Sequence, residues 1–224
     1  QRDEEDAQER ERIDEAQDAQ PNQQNDPAVP PPDSPIKADG LGIQVIGDSH
    51  LAWNGARSTG NQLSDVLRER GIQHELVNHA VGGATLGCGQ DGVGSRENCI
   101  PPQFSGGPWT HVVLSGGGND FLESNCRVDL DRLISPSLDA GLMVELVRGF
   151  RKQDIEVIVV GYVNPQDPGG EAGSCQPIRT LLARYEAMAS RMAGVTFIDG
   201  RKAIRPDQTG YYDDDIHTSI RGSR

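Results

Sequence analysis

Short apolar runs alternate with longer amphipathic stretches from residue 41 onward. The apolar runs are rich in β-branched residues, and they predict strands over 42–46, 74–78, 111–115, 156–162 and 195–199. Three stretches between them repeat apolar residues every three or four positions, which predicts helices over 61–71, 137–153 and 178–194. This alternation predicts an α/β fold whose five-stranded parallel sheet is covered by helices on both faces.

The first 40 residues have a different composition. They carry −8 of the formal net charge of −13 and contain no aromatic residue. Such a segment buries too little apolar area to offset the entropy of ordering it. We expect residues 1–40 to be a disordered acidic, proline-containing tail or linker that could tether the domain formed by 41–224. Because residue 1 is Gln rather than Met, we also expect that a targeting segment has been removed.

Length and charge exclude several classes of function. The 224 residues suffice for one globular domain, and the sequence has no apolar run of the roughly 18 residues that a membrane span needs. The net negative charge argues against nucleic acid as a partner, since phosphate binding needs clustered Lys and Arg. It also disfavours an acidic substrate.

Four cysteines, Cys88, Cys99, Cys126 and Cys175, form no CxxC pair and lack the spacing of a zinc site. Their even number in predicted loops indicates two disulfides, for which three pairings are possible. We favour Cys88 with Cys99 and Cys126 with Cys175, because each pair flanks one irregular stretch. Disulfides form in oxidising compartments, so we expect a periplasmic or secreted protein.

Polar residues follow the predicted strands at the edge where an open α/β sheet binds its ligand. Ser49 comes shortly after the first strand, Gly83 after the second, Asn119 after the third, and Asp214 with His217 after the fifth. A serine hydroxyl needs a base to become a nucleophile, and the imidazole of His217 suits neutral pH. Asp214 could orient that imidazole, with Asp213 as the rival. The backbone N–H groups of Ser49 and Gly83 and the Asn119 amide could form an oxyanion hole.

These blocks, in this order, resemble the SGNH hydrolases, also called the GDSL esterase and lipase family. The resemblance covers 41–222 and rests on GDSH with Ser49, NHAVGGAT with Gly83, GGND with Asn119 and DDIH with Asp214 and His217. It favours Asp214 over Asp213 and implies a flavodoxin-like three-layer α/β/α sandwich. His50 stands where the family name has Leu. Seven residues follow His217, where the family usually closes with a helix, so we expect a short or trimmed last element.

The resemblance implies a serine ester hydrolase that works through an acyl-enzyme without a cofactor. Loops rich in Gly, Pro and polar residues favour a short acyl group, and we expect an acylated small molecule or glycan as substrate, with the O-acetyl group of an envelope or extracellular polysaccharide preferred. The alternative is a non-catalytic glycan-binding or envelope-scaffold domain of the same fold.

Other suggestive residues are interpreted as structural. The run GCGQDG, residues 87–92, fits a dinucleotide-binding pattern but does not directly follow a strand. The three acids at 213–215, together with Asp120, could suggest a metal, but solvated charge beside a turn explains them, and we expect no metal. His74, His79 and His111 are taken as structural or surface residues. Trp53 and Trp109 are either cleft or core residues.

Overall fold

The structure is a computed structural model, and it describes residues 40–89 and 98–224. Residues 1–39 of the expected tail and the second half of the GCGQDG run therefore lie outside the described residues. The described helices include none long and apolar enough to cross a membrane.

The sheet has the five predicted strands, all parallel, in the order β2-β1-β3-β4-β5. Their bounds are β1 (Leu41–Ile46), β2 (His74–Asn78), β3 (His111–Leu114), β4 (Glu156–Val160) and β5 (Val195–Ile198). The third, fourth and fifth strands end one or two residues before the predicted ends. From β1 the chain adds β2 on one side of the sheet and then β3, β4 and β5 on the other. This change of side occurs between β1 and β3, so a ligand cleft is expected at the carboxyl ends of these two strands.

The α-helices are α1 (Ser49–Ala52), α2 (Thr59–Glu69), α3 (Gly118–Leu122), α4 (Leu130–Leu133), α5 (Leu142–Arg151), α6 (Glu171–Ser174), α7 (Gln176–Arg191) and α8 (Gly200–Ala203). The three long helices are the predicted ones, with shifted bounds. Helix α2 begins two residues early because the Ser58 hydroxyl caps the N–H of Asn61. Helix α5 begins five residues later than the predicted 137, because Leu138 and Gly141 have positive φ angles that no helix continues.

Alternating strand residues form two apolar cores, one on each face of the sheet. Val112 and Leu114 pack with helices α5 and α7 on one face, whereas Val113, the residue between them, packs on the other. Leu63 and Leu67 of helix α2 cover that second face. The three-layer α/β/α sandwich is therefore confirmed, and the period-2 burial of its strands explains why the sequence pattern is so clear.

The four cysteines lie in the favoured pairs at disulfide distance. The Cα atoms of Cys88 and Cys99 are 4.8 Å apart, and those of Cys126 and Cys175 are 5.7 Å apart. The second pair connects the loop after α3 with the link between α6 and α7, and the two cysteines lie 49 residues apart in sequence.

We expect the Cys126–Cys175 bridge to contribute more to stability than the Cys88–Cys99 bridge. Loop-closure entropy grows with the number of residues enclosed, which gives about 4 kcal/mol for the longer loop and about 3 kcal/mol for the shorter one. Urea unfolding of the Cys126→Ala/Cys175→Ala and Cys88→Ala/Cys99→Ala variants measures both. Alkylation before reduction should label no thiol in the unchanged chain, and four labelled thiols would contradict the pairing and the expected compartment together.

Candidate active site

The site lies at the carboxyl ends of β1 and β3. Ser49 is the first residue of α1, immediately beyond β1, and Asn119 lies in the first turn of α3, beyond β3. The turn into α1 depends on Gly47, whose φ of +146° is rarely adopted by other residues. A Cβ atom there would lie 2.7 Å from the carbonyl oxygen of Ser115. Close packing of the two strand ends thus requires glycine before the Asp48–Ser49 pair.

Ser49, His217 and Asp214 form a continuous hydrogen-bonded chain. The Ser49 hydroxyl lies 2.8 Å from Nε2 of His217, and Nδ1 of the same ring lies 2.6 Å from Oδ2 of Asp214. Since a carboxylate only accepts hydrogen bonds, Nδ1–H donates to Asp214, and this leaves Nε2 free to accept the serine proton. The three side chains have the geometry of an activated nucleophile.

Two neighbouring carboxylates could have oriented His217, and the structure selects Asp214. Its Oδ1 also accepts the backbone N–H groups of Ile216 and His217. Burial raises the pKa of Asp214, but the hydrogen bonds from the His217 ring and from these N–H groups outweigh it and hold the pKa below the ordinary value of 3.8. Asp213, the rival, instead accepts the indole N–H of Trp53 at 3.0 Å.

The structure describes the surroundings of the three donors that the sequence predicts for an oxyanion hole. Within the described residues, the backbone N–H groups of Ser49 and Gly83 have no hydrogen-bond acceptor. Gly83 has a φ of +73°, a conformation that favours glycine. The Asn119 amide uses one N–H to donate to the carbonyl of Ala84 at 3.0 Å. This bond fixes the amide and leaves its second N–H available to a developing oxyanion.

The GGND block also anchors the loop that carries Gly83. The buried carboxylate of Asp120 accepts the N–H groups of Leu86 at 2.9 Å and Gly87 at 2.8 Å. Burial raises the pKa of Asp120 above its ordinary value, whereas the two N–H donors act in the opposite direction. Asn119 and Asp120 therefore hold the same loop from adjacent positions. Sequence reasoning did not assign this anchoring role to Asp120.

A buried network beneath the site connects the GDSH and GGND blocks. Tyr162 donates its hydroxyl proton to Oδ2 of Asp48 at 2.6 Å and accepts the N–H of Gly118 at 2.7 Å. The other oxygen of Asp48 accepts from the Ser115 hydroxyl and from the N–H of His50. Burial, followed by the charge of Asp48, raises the pKa of Tyr162 well above 10, so its hydroxyl remains a donor. Sequence reasoning missed Tyr162, although it is the last residue of the predicted fourth strand, the one strand to which no site residue was assigned.

Replacing Tyr162 with phenylalanine is expected to lower the free energy of unfolding by about 1–3 kcal/mol, because Asp48 and Gly118 each lose a partner in a buried position. Urea denaturation provides the measurement. Tyr185→Phe is the matched control, since that buried hydroxyl makes one longer bond, 3.2 Å to the carbonyl of Gly116, and its loss should cost less. Equal losses in the two variants would contradict the network's role.

A family model described as the GDSL-like lipase/acylhydrolase family matches residues 45–224. The chain belongs to this family. The match spans all four sequence blocks, so this GDSL-like protein is a carboxylic ester hydrolase by family. A comparison with curated protein sequences found no match.

Solved structures share the fold of this GDSL-like hydrolase at low sequence identity. TesA is 19% identical with a TM-score of 0.60, over 82% of this chain and 92% of that one. AlinE4, described as an SGNH-hydrolase family esterase, is 18% identical with a TM-score of 0.55, over 83% and 90% of the two chains. An acetyl xylan esterase, AlAXEase, is 18% identical with a TM-score of 0.53, over 82% and 94%.

The tryptophans, acids and histidines that the sequence analysis of this GDSL-like chain considered outside the triad have separate contacts. Trp109 is buried, and its indole donates to the carbonyl of Ser105, whereas Trp53 lies beside His217. Asp215 accepts the backbone N–H of Asp167, so the three acids at 213–215 have different partners. His74, His79 and His111 each contact nearby polar groups outside the triad.

Proposed function

We propose that this chain hydrolyses esters of short acyl groups, with the O-acetyl group of an envelope or extracellular polysaccharide as its preferred substrate. The observation that carries the proposal is the small size of the pocket beside Ser49. Its volume is about 50 Å³. A single water needs roughly 10–15 Å³ measured in this way, so the space accepts a few heavy atoms rather than a long chain.

The lining of this pocket suits the methyl end of an acyl group. Its polar lining residues are Ser49 and Asn119 together with Asp48, His50 and Tyr162. The rest is mostly apolar, formed by Leu122, Val163, Pro165, Ala172, Ile178 and Ile216. An acetyl group would place its carbonyl carbon at Ser49 and its methyl group against these side chains.

The reaction would proceed in two halves. Ser49 Oγ attacks the ester carbonyl while its proton moves to Nε2 of His217, and the negative oxygen is stabilised by the donors of Ser49, Gly83 and Asn119. His217 then returns the proton to the leaving alcohol as the C–O bond breaks, which leaves an acetylated serine. Water, activated by the same imidazole, releases acetate and restores the hydroxyl. Transfer to another alcohol would share the first half.

The alcohol part is inferred from charge. Of the net charge of −13, residues 41–224 carry −5, and this charge repels anionic alcohols and is compatible with neutral or cationic sugars. One relative in structure is named an acetyl xylan esterase, which agrees with an acetylated glycan, although 18% identity extends to the fold alone.

A panel of p-nitrophenyl esters tests the acyl preference. The value of kcat/KM should fall from acetate through butyrate to octanoate, and acetylated oligosaccharides should release free acetate. Ile178→Ala enlarges the pocket and should raise the butyrate-to-acetate ratio. Ile198→Ala, a truncation of an exposed residue of β5 that does not line the pocket, should leave the ratio unchanged. A wild-type preference for octanoate would overturn the short-acyl proposal.

We also propose an oxidising location, periplasmic or extracellular, and a tethering role for residues 1–40. The disulfide-distance cysteine pairs support the first and the charged composition of the segment supports the second. Fractionation of producing cells tests the location, and recovery of the protein only from cytoplasm would overturn it.

A chain that begins at residue 37 is expected to keep its kcat/KM for a small neutral ester and its Tm. Charges in the removed segment act over only about 8 Å at physiological ionic strength, so a catalytic effect would need direct contact. Both quantities are measured at low and at moderate salt. A tenfold loss of activity that persists at moderate salt would show that the segment belongs to the site.

A further inference from the structure

We propose that Trp53 is a positioning residue for His217, which it holds against Ser49 and stabilises when the imidazole carries the proton. The indole and imidazole rings are stacked, with centroids 3.9 Å apart and planes inclined by 8°. The inference rests on the proposed function, because it assigns Trp53 a task only if His217 acts as the base.

Trp53 completes a closed circuit of contacts around the reacting pair. Its backbone N–H donates to the carbonyl of Ser49 at 2.7 Å, and its indole Nε1–H donates to Oδ2 of Asp213 at 3.0 Å. The N–H of Asp213 donates to the carbonyl of His217 at 2.9 Å, and the His217 ring returns to the Ser49 hydroxyl. The nucleophile and the base are thus connected through Trp53 as well as through their own hydrogen bond.

This circuit connects the two site residues that lie farthest apart in sequence. Ser49 and His217 lie 168 positions apart and belong to different elements, so their separation depends on how the last turn docks. Two further side chains hold that turn by its backbone: the amide of Asn54 donates to the carbonyl of Thr218, and that of Gln62 donates to Ile220. These bonds fix the turn, whereas only Trp53 among the three contacts the His217 ring.

The stack has an electrostatic consequence during acyl transfer. When the proton of Ser49 moves to Nε2, His217 becomes a cation that lies over the electron-rich face of the indole. Asp214 faces the opposite ring nitrogen as the counterion, and Asp213 lies at the edge of the indole. His50, whose ring centroid is 6.2 Å from that of His217, adds no like charge at neutral pH because burial lowers its pKa to about 4.

Kinetics of four variants test the inference on p-nitrophenyl acetate. Trp53→Leu removes the aromatic face and should lower kcat about 2- to 30-fold with little change in KM, whereas Trp53→Phe keeps a ring and should retain most of the activity. Asp213→Ala leaves the indole but removes its acceptor, and should lower kcat about 2- to 10-fold. Trp109→Phe, the loss of the other tryptophan, should leave kcat unchanged.

Fluorescence separates this inference from the proposed function. In the Trp109→Phe background Trp53 is the one remaining tryptophan, so under excitation that tyrosine does not absorb only Trp53 emits. Its emission should fall when His217 is protonated, because an imidazolium quenches a stacked indole. His217→Gln should abolish that pH step. Loss of ester turnover and of serine labelling in the unchanged chain would sink the proposed function while leaving the fluorescence step intact.

Three results would overturn the role of Trp53. The first is an unchanged kcat in both Trp53→Leu and Asp213→Ala, which would show that Trp53 does not position His217. If the leucine variant does not fold, an unchanged kcat in Asp213→Ala alone is sufficient. A raised KM with unchanged kcat would make Trp53 a substrate-binding surface instead. A Trp53 emission that ignores His217 would show that the rings do not stack in solution.

Discussion

Ser49→Ala is expected to lower kcat for p-nitrophenyl acetate by at least about 10³-fold, and His217→Ala should do the same. The hydroxyl and the imidazole act on one proton, so losing either removes the same step. The double variant should therefore be little worse than each single variant, and initial rates at saturating ester measure all three. Independent, multiplying losses would contradict a shared proton transfer.

A second serine–histidine pair in the chain provides a matched control. Ser64 Oγ lies 2.7 Å from Nε2 of His74, a separation close to that in the site, but the other ring nitrogen faces the carbonyl of Ile72 rather than a carboxylate. Ser64→Ala should keep full activity. A fluorophosphonate probe should label the unchanged chain and Ser64→Ala but not Ser49→Ala. Labelling that survives in Ser49→Ala would place the nucleophile elsewhere.

Asn119→Ala is expected to lower kcat by about 10²- to 10³-fold while KM stays near its starting value. The amide N–H that is not bonded to Ala84 can bind the oxyanion, whose charge is absent from the ground-state ester and develops towards the transition state. Steady-state kinetics with p-nitrophenyl acetate separate the two parameters. Because the variant also loses the bond to Ala84, its Tm is measured beside them.

Asn61→Ala is the control for this change, since its exposed amide donates to the carbonyl of Gly55 outside the site and its loss should leave kcat unaltered. A large rise in KM with unchanged kcat in Asn119→Ala would instead mean that the amide binds the ground-state ester, and its role as an oxyanion donor would fail.

Much of the sheet and the triad could be predicted because the signals are local. Strand alternation is a period of two residues, and each block directly follows a strand or lies in one short turn. Asp214 and His217 are three positions apart, so one turn brings them together. Even the choice between Asp213 and Asp214 needed only the resemblance to a known family, and the structure then supplied the physical reason in the Trp53 indole.

The contacts that could not be predicted join distant segments. Tyr162 and Asp48 are 114 positions apart, and Trp53 and Asp213 are 160 apart. No local periodicity encodes such pairs, because they depend on how loops pack after the sheet has formed. The late start of α5 has a more local cause. The apolar residues at 138 and 142 fit the helical spacing, so the sequence predicts a helix through both. The positive φ angles of Leu138 and Gly141 prevent the helix from beginning before Leu142.

Cys175 lies between Ala172 and Ile178, which line the acyl pocket, and its bridge to Cys126 joins this part of the chain to the loop after α3, whereas Ser49, Asn119 and His217 lie on other segments. Part of the acyl pocket, formed by Val163, Pro165 and Ala172, is therefore encoded in a stretch of chain that holds none of these three residues. The side chains of residues 163–174, between Tyr162 and Cys175, can be exchanged as a set, with Tyr162 and both cysteines kept, to alter which ester enters. A lineage with this architecture can thus acquire new substrates by replacing loops while the proton-transfer machinery remains untouched.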